Sequence, residues 1–269
     1  MLHYFGDYNN KLKFHDDPSG AIKRFIGVEI EVADFCSDPI LEKKLETTIK
    51  KWGGALKSDG SIDGNNPFEI NTAPARGKAF IKQIREICGV LREGKAKINR
   101  SCGLHVHIDA RDFEVEDLVK VAQLWQKIEP QLFKRVARSR RNNEYCQPVR
   151  NVMNDALDDG THICKKCGHT DINIKDLADE LTESCDKYYA LNCSSYRYRK
   201  TLENRLHHGT TNAGKIISWA RLNSRMVEYA KKHSLEEIKK AEIEVAKQFE
   251  PIKYPIKETN TTKVDPDRY

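Results

Sequence analysis

Three stretches of this 269-residue chain share one demanding pattern, in which apolar residues alternate with ionisable ones. In FIGVEIEV, residues 25–32, Val28, Ile30 and Val32 alternate with Glu29 and Glu31. In CGLHVHIDA, residues 102–110, Leu104, Val106 and Ile108 alternate with His105, His107 and Asp109. TLENRL, residues 201–206, sets Glu203 and Arg205 two apart, with Leu202 and Leu206 apolar. Successive side chains of a strand point to opposite faces, so this period gathers the apolar groups on one face and the ionisable ones on the other. The chain must therefore build a sheet with one face on a core and the other lined with charge.

The remaining segments supply helices to cover the apolar face. A helix is expected over 39–52, ending before Gly53-Gly54. An amphipathic helix follows over Gly77 to Glu93, with Phe80, Ile81, Ile84, Ile87, Cys88 and Leu91 on its apolar side. A long helix over 114–137 carries Pro130, which is expected to kink or divide it. PFEINTAP at 67–74 reads as a short strand stopped by Pro74, and 188–208 as two strands around a polar turn. Residues 1–23 read as an irregular lead-in or edge element, 212–249 as helix that is highly charged over 234–249, and 250–269 as a flexible tail. An inserted small lobe is expected at 150–185.

With 39% hydrophobic and 32% charged residues, the chain has no run of roughly 18 apolar residues that could form a membrane span. Its start, MLHYFGDYNNKLKFHDD, lacks the apolar stretch of a signal peptide, so a cytoplasmic protein is expected. A net charge of +6 is weak for a dedicated nucleic-acid binder and compatible with an anionic substrate such as a nucleotide.

Glu29 and Glu31 point the same way about 6.5 to 7 Å apart. Two carboxylates so placed repel unless a cation lies between them, and magnesium, which takes oxygen ligands and bridges carboxylates to phosphates, meets that need. The plainer reading is a charged strand face in solvent. His105 and His107 could ligate a metal, contact phosphate or move protons; spacing alone does not choose between zinc and a nucleotide, and a packed core histidine is the ordinary alternative. An arginine fork at Arg205 matches phosphate oxygens, with Glu203 either holding a metal or holding the guanidinium; a structural ion pair is the alternative. Glu69 in PFEI and Asp59 in the Ser58-Asp59-Gly60 turn add two acids near strand ends. Neither a phosphate-binding glycine loop with its lysine nor a dinucleotide fingerprint is present.

Taken in order, FIGVEIEV, the SDGSI and FEINTAP pair, CGLHVHID, and TLENRLHHGTTN followed by a helix with Trp219 resemble the motifs of the amidoligase family, within the glutamine synthetase and glutamate–cysteine ligase superfamily. The resemblance covers roughly 24–230, in a catalytic domain of 24–233, and fits poorly over 150–185. It implies an α+β fold: a glutamine-synthetase-like curved antiparallel sheet flanked by helices, whose concave face binds ATP and two or more magnesium ions. Glu29, Glu31, Glu69 and Glu203 would be metal ligands, with His105 or His107 near a metal or the phosphates. Arg205 would stabilise the transferring phosphoryl group. Glu29, Glu31, His105 and Arg205 would form the catalytic set, joining a carboxylate to an amine on a small molecule, peptide or protein through an acyl phosphate. Arg138, Arg140 and Arg141, with Tyr145, would grip nucleotide phosphates or an anionic substrate, or else form a basic helix end. Tyr188 and Asn192 could line the pocket.

Cys164 and Cys167 have the spacing by which two thiolates close on zinc, and Cys146 and Cys185 stand symmetrically outside them, 17 residues separating each from the nearer of the pair. A structural zinc in the insertion and plain reduced thiols are both open. Two other function classes compete with the ligase. In one, KRVARSRR at 134–141 and the cysteine knuckle bind nucleic acid or protein on a degenerate ligase fold. In the other, His105 and His107 serve a metal hydrolase, although no metalloprotease helix motif accompanies them.

Overall fold

The computed structural model describes residues 2–5, 12–153 and 174–249. The strands are β1 (Ile26–Val32), β2 (Ala55–Lys57), β3 (Phe68–Asn71), β4 (Gly103–Asp109), β5 (Leu191–Asn192) and β6 (Thr201–His208). The helices are α1 (Pro39–Trp52), α2 (Gly77–Glu93), α3 (Val115–Phe133), α4 (Arg138–Arg141), α5 (Arg150–Met153), α6 (Ile174–Ser184), α7 (Ser195–Arg199), α8 (Ala213–Lys232), α9 (Leu235–Lys240) and α10 (Val245–Gln248). The strands form one six-stranded sheet in the order β2-β3-β1-β4-β6-β5, with every pairing antiparallel. This is an α+β architecture with an open antiparallel sheet.

Alternation in the sequence becomes a division of the sheet into two faces. Val28, Ile30, Val32, Leu104, Val106 and Ile108 are all buried in one hydrophobic cluster with the apolar sides of α1, α2, α3 and α8. Ile30 lies between Ile70 of β3 and Leu104 of β4, so the central strands interlock through aliphatic side chains. Truncating a residue placed like this to alanine typically costs about 2–5 kcal/mol.

Local signals set the element ends. Asp38 accepts hydrogen bonds from Ile40 N and Leu41 N to open α1, Pro39 fits its first position, and Gly53 closes it in the left-handed region. Gly77, at φ 59°, opens α2 where the lead-in crosses: a Cβ there would stand 1.7 Å from the Asp17 carbonyl oxygen. That lead-in is an edge element, bridging Phe5 to Leu56 and His15 to Ala75.

Three expected elements come out differently. α3 runs unbroken to Phe133. Pro130 falls in its last turn, so the hydrogen bond it forfeits is the one to the Gln126 carbonyl a turn back, and only three residues of helix follow. The helix expected over 212–249 stops at Lys232, because Ser234 and Glu237 form a reciprocal cap that starts α9 afresh. The polar turn between the last two strands contains the short helix α7, and Lys200, at φ 53°, turns the chain into β6. Of the expected insertion, α6 packs on α3, while 154–173 lie outside the described residues.

The ladder between β4 and β6 breaks register at one point. Val106 pairs with Asn204 but Leu104 pairs with His207, so β6 carries one more residue than β4 across this interval. Such a bulge reverses which face the following residues take. Asn204 and His207 both lie opposite core-facing residues of β4, and both meet α8: Asn204 Nδ2 donates to Asn223 Oδ1 at 2.6 Å, and the His207 ring lies 5.0 Å from that of Trp219.

Burial, and then the neighbouring His208, push the His207 imidazole down to about 3. A folded-state pKa below the unfolded value stabilises the fold above pH 6.5 and withdraws that contribution as pH falls. We expect the wild type to lose about 1.4 kcal/mol per pH unit relative to His207→Gln below about pH 6.5. Urea unfolding of both proteins at about pH 7, 6 and 5 measures this.

Candidate active site

The polar face of the sheet gathers its charges through strand register. Glu31 lies opposite Glu69, Glu29 opposite His105, and His107 opposite Glu203, and paired residues of an antiparallel ladder share a face. His105 Nδ1 is 3.0 Å from Glu29 Oε2 and 3.6 Å from Glu203 Oε1, while its Nε2 is 3.4 Å from Glu31 Oε1. His107 Nε2 lies 3.1 Å from Glu29 Oε1, and Arg205 donates to Glu203 Oε1 at 2.5 Å. Glu29, Glu31, Glu203 and His105 are each no more than 8% exposed, so this is no solvent-facing strand edge.

Two sets of ligand atoms converge within 4.8 Å: Glu29, His105 and Glu203, and Glu31, Glu69 and His105. A neutral imidazole has a single free lone pair, so His105 can ligate an ion in only one set at a time. Its other nitrogen then donates to a carboxylate of the second set, the usual way a ligating histidine is oriented.

Burial would raise the Glu29 carboxyl, but the charge of His107 and hydrogen bonds from both imidazoles outweigh it and hold Glu29 well below the usual range. Burial likewise opposes the ionised Glu203, and the His107 and Arg205 charges bring it down despite repulsion from Glu29. Against burial, Glu203 and Glu29 raise the His107 pKa and favour imidazolium. For Glu69 the balance tips the other way. Burial and the Glu29 charge push it up to about 7, although the Asn71 amide donates to it. Burial first, and the neighbouring carboxylates after it, thus favour a proton on Glu69 below neutral pH.

Several supporting residues were weak or silent in the sequence. Gly103 N donates to Glu31 Oε2 at 2.5 Å, and a Cβ at Gly103 would come within 2.8 Å of the His105 ring. Its signal was a glycine opening a charged strand. Asn192 donates to Glu203 Oε2 at 2.7 Å and fixes that carboxylate from β5, at the lining of the cavity. From His107 Nδ1, contacts of 3.2 and 2.9 Å run through the Thr201 hydroxyl to that of Ser195. The face opens into a cavity of about 660 Å³, walled by the end of α6 and by α7, with Lys187, Arg197 and Arg199 among its cations.

The basic run divides. Arg140 is buried and donates to the Arg205 carbonyl at 2.6 Å; Arg141 donates to the Val136 and Lys134 carbonyls; Arg138 is exposed. The cavity lining includes none of the three. Tyr145 and Tyr188 stack on each other at 5.9 Å, Asp59 accepts from Ser61 within its own turn, and Asp109 pairs with Arg111. Cys146 and Cys185 are buried in the main core, and the Cys146 thiol donates to the Arg140 carbonyl. Cys164 and Cys167 lie outside the described residues.

Fold and site together define an α+β protein whose antiparallel sheet carries a candidate centre for divalent cations on its polar face. The family model described as putative amidoligase enzyme matches residues 44–227, and the chain belongs to that family of ligases. The match begins after β1, so Glu29 and Glu31 stand outside it, while Glu69, His105, Glu203 and Arg205 stand within. No curated protein matches the chain. Among the described residues, no helix is long and apolar enough to cross a membrane.

A cation bound between Glu31 and Glu69 would displace a proton from Glu69 below neutral pH. Titrating manganese into the protein at about pH 6.5 is expected to release close to one proton, read by calorimetry in buffers of different ionisation enthalpy. Glu69→Gln should abolish that release.

Proposed function

We propose that this protein is an ATP- and magnesium-dependent carboxylate–amine ligase on a glutamine-synthetase-like sheet, forming an amide through an acyl phosphate. The observation that carries the reading is the convergence of Glu29, Glu31, Glu69 and Glu203 from three strands around His105, with Arg205 beside them. The donor set suits magnesium or manganese: carboxylate oxygens with one imidazole, in a site where burial and then the Glu29 charge raise the Glu69 pKa to about 7.

Glu29, Glu203 and His105 would hold one ion, and Glu31 and Glu69 the other. Bound there, the ions would neutralise the phosphate oxygens and shield them from the acidic face. The chain's own groups do the rest. Arg205, held by Glu203, donates to the phosphoryl group being transferred. Asn192 and His107 keep Glu203 and Glu29 aimed inward. Arg199, 3.8 Å from Glu29, and Lys187 place positive charge in the cavity where a carboxylate substrate enters.

In the first step a carboxylate oxygen bonds to the γ-phosphorus as its bond to the bridging oxygen breaks, and ADP leaves. The amine nitrogen then bonds to the acyl carbon, phosphate departs with the electrons of the carbon–oxygen bond, and the nitrogen gives up a proton. Incubation with MgATP and pooled carboxylates and amines, with phosphate release as the readout, tests this. Glu29→Gln, Glu31→Gln and Arg205→Met are expected to lower turnover about 100-fold or more while the circular dichroism spectrum is retained. Variants that turn over ATP as the wild type does would remove the assignment.

A further inference from the structure

Arg205 lies within the β6 bulge, and its backbone is held from both sides. Its N–H donates to the Ala190 carbonyl at 2.9 Å, and its carbonyl accepts from Arg140 Nη2 at 2.6 Å. An unbulged β6 would pair Leu206 with Leu104; in the structure His207 takes that place, and the chain between Asn204 and His207 must swing out of regular register. The direction of the Arg205 side chain depends on how that excursion is fixed.

Arg140 is an unusual residue to find fixing it. It is 3% exposed, on a helix of only four residues, and has no carboxylate partner among the described residues. Its Nε is buried without a hydrogen-bond partner. Its own backbone is anchored, since its N–H donates to the Ala137 carbonyl and its carbonyl accepts from the Cys146 thiol at 3.0 Å. Burying a guanidinium without an opposing acid is unfavourable, and a neutral donor could serve one carbonyl. A charged donor makes a stronger hydrogen bond, and a rigid planar one sets its direction.

We propose that Arg140 is a positioning residue, which clamps the bulge so that the Arg205 guanidinium is presented beside Glu203 and toward the γ-phosphate. This rests on the nucleotide role given to Arg205 above. Arg140 itself touches no substrate; it acts through the Arg205 backbone.

The affinity ratio between a triphosphate and a diphosphate reports on γ-phosphate contact and is indifferent to stability alone. Calorimetry with magnesium AMP-PNP and magnesium ADP gives that ratio for wild type, Arg205→Met, Arg140→Met and the double variant, with thermal melting alongside. Arg205→Met is expected to reduce the ratio about tenfold or more, as loss of one charge-assisted hydrogen bond to the γ-phosphate does. Arg140→Met should reduce it similarly, Arg140→Lys should restore part of it, and the double variant should lose no more than Arg205→Met.

If Arg140→Met does not fold, Arg140→Lys and Arg140→Gln are read in the same way: a reduced ratio supports the clamp and an unchanged one overturns it. A wild-type ratio in Arg140→Met, or losses that add in the double variant, likewise overturns it while leaving the role of Arg205 intact. A wild type that does not distinguish the two nucleotides, or an Arg205→Met variant with the wild-type ratio, instead overturns the nucleotide role and the clamp together.

Discussion

Crowding of negative charge on a buried sheet face is the constraint around which this structure is arranged. Glu29, Glu31, Glu69 and Glu203 face one another with Arg205, Arg199 and the imidazolium of His107 among the neighbouring cations. Like charges about 4 Å apart repel by about 4 kcal/mol at the effective dielectric near a protein surface. Such a face persists only because the opposite side of the same strands is welded into the core. Val28, Ile30, Leu104 and Val106 fix the register, and the register holds the carboxylates where they would not stay by themselves. The tension is eased locally, by hydrogen bonds from Gly103, Asn71 and Asn192 and by a proton on Glu69.

Parity is the second constraint. β1 and β4 keep strict alternation, so Glu29 and Glu31 from one and His105 and His107 from the other reach a single face without any special device. β6 cannot do so along its full length, because His207 and Asn204 are committed to α8 on the core side. The bulge reconciles the two demands within one strand. It also leaves Arg205 in a segment whose geometry is set by neighbours rather than by the ladder, and this is where Arg140 enters.

Much of this was legible in the sequence, and the reasons differ by element. β1 and β4 were readable because apolar residues alternate over their length, and a register mistake would turn every one of them outward. α1 announced its end with Gly53, and Glu69 stood out as an acid in a short strand. The stop of α8 was also written, as Ser234 with Glu237 three residues on, but the charge run around it masked the signal. What could not be read depends on long-range pairing. The bulge appears only when β6 is set against β4, and nothing in KRVARSRR says that Arg140 turns inward while Arg138 faces solvent. Asn192 was indistinguishable from any polar residue before a strand until Glu203 came to lie opposite it.

The floor and the wall of the cavity are built with unequal rigidity. The floor rests on the long β1–β3, β1–β4 and β4–β6 ladders, whereas the wall comes from the end of α6, a two-residue strand and a five-residue helix. Residues such as Lys187, Tyr198 and Arg199 can therefore be exchanged without disturbing the ladder beneath them. A scaffold divided in this way could acquire new substrates by rewriting one short stretch, keeping its cation-holding groups untouched while its clientele changes.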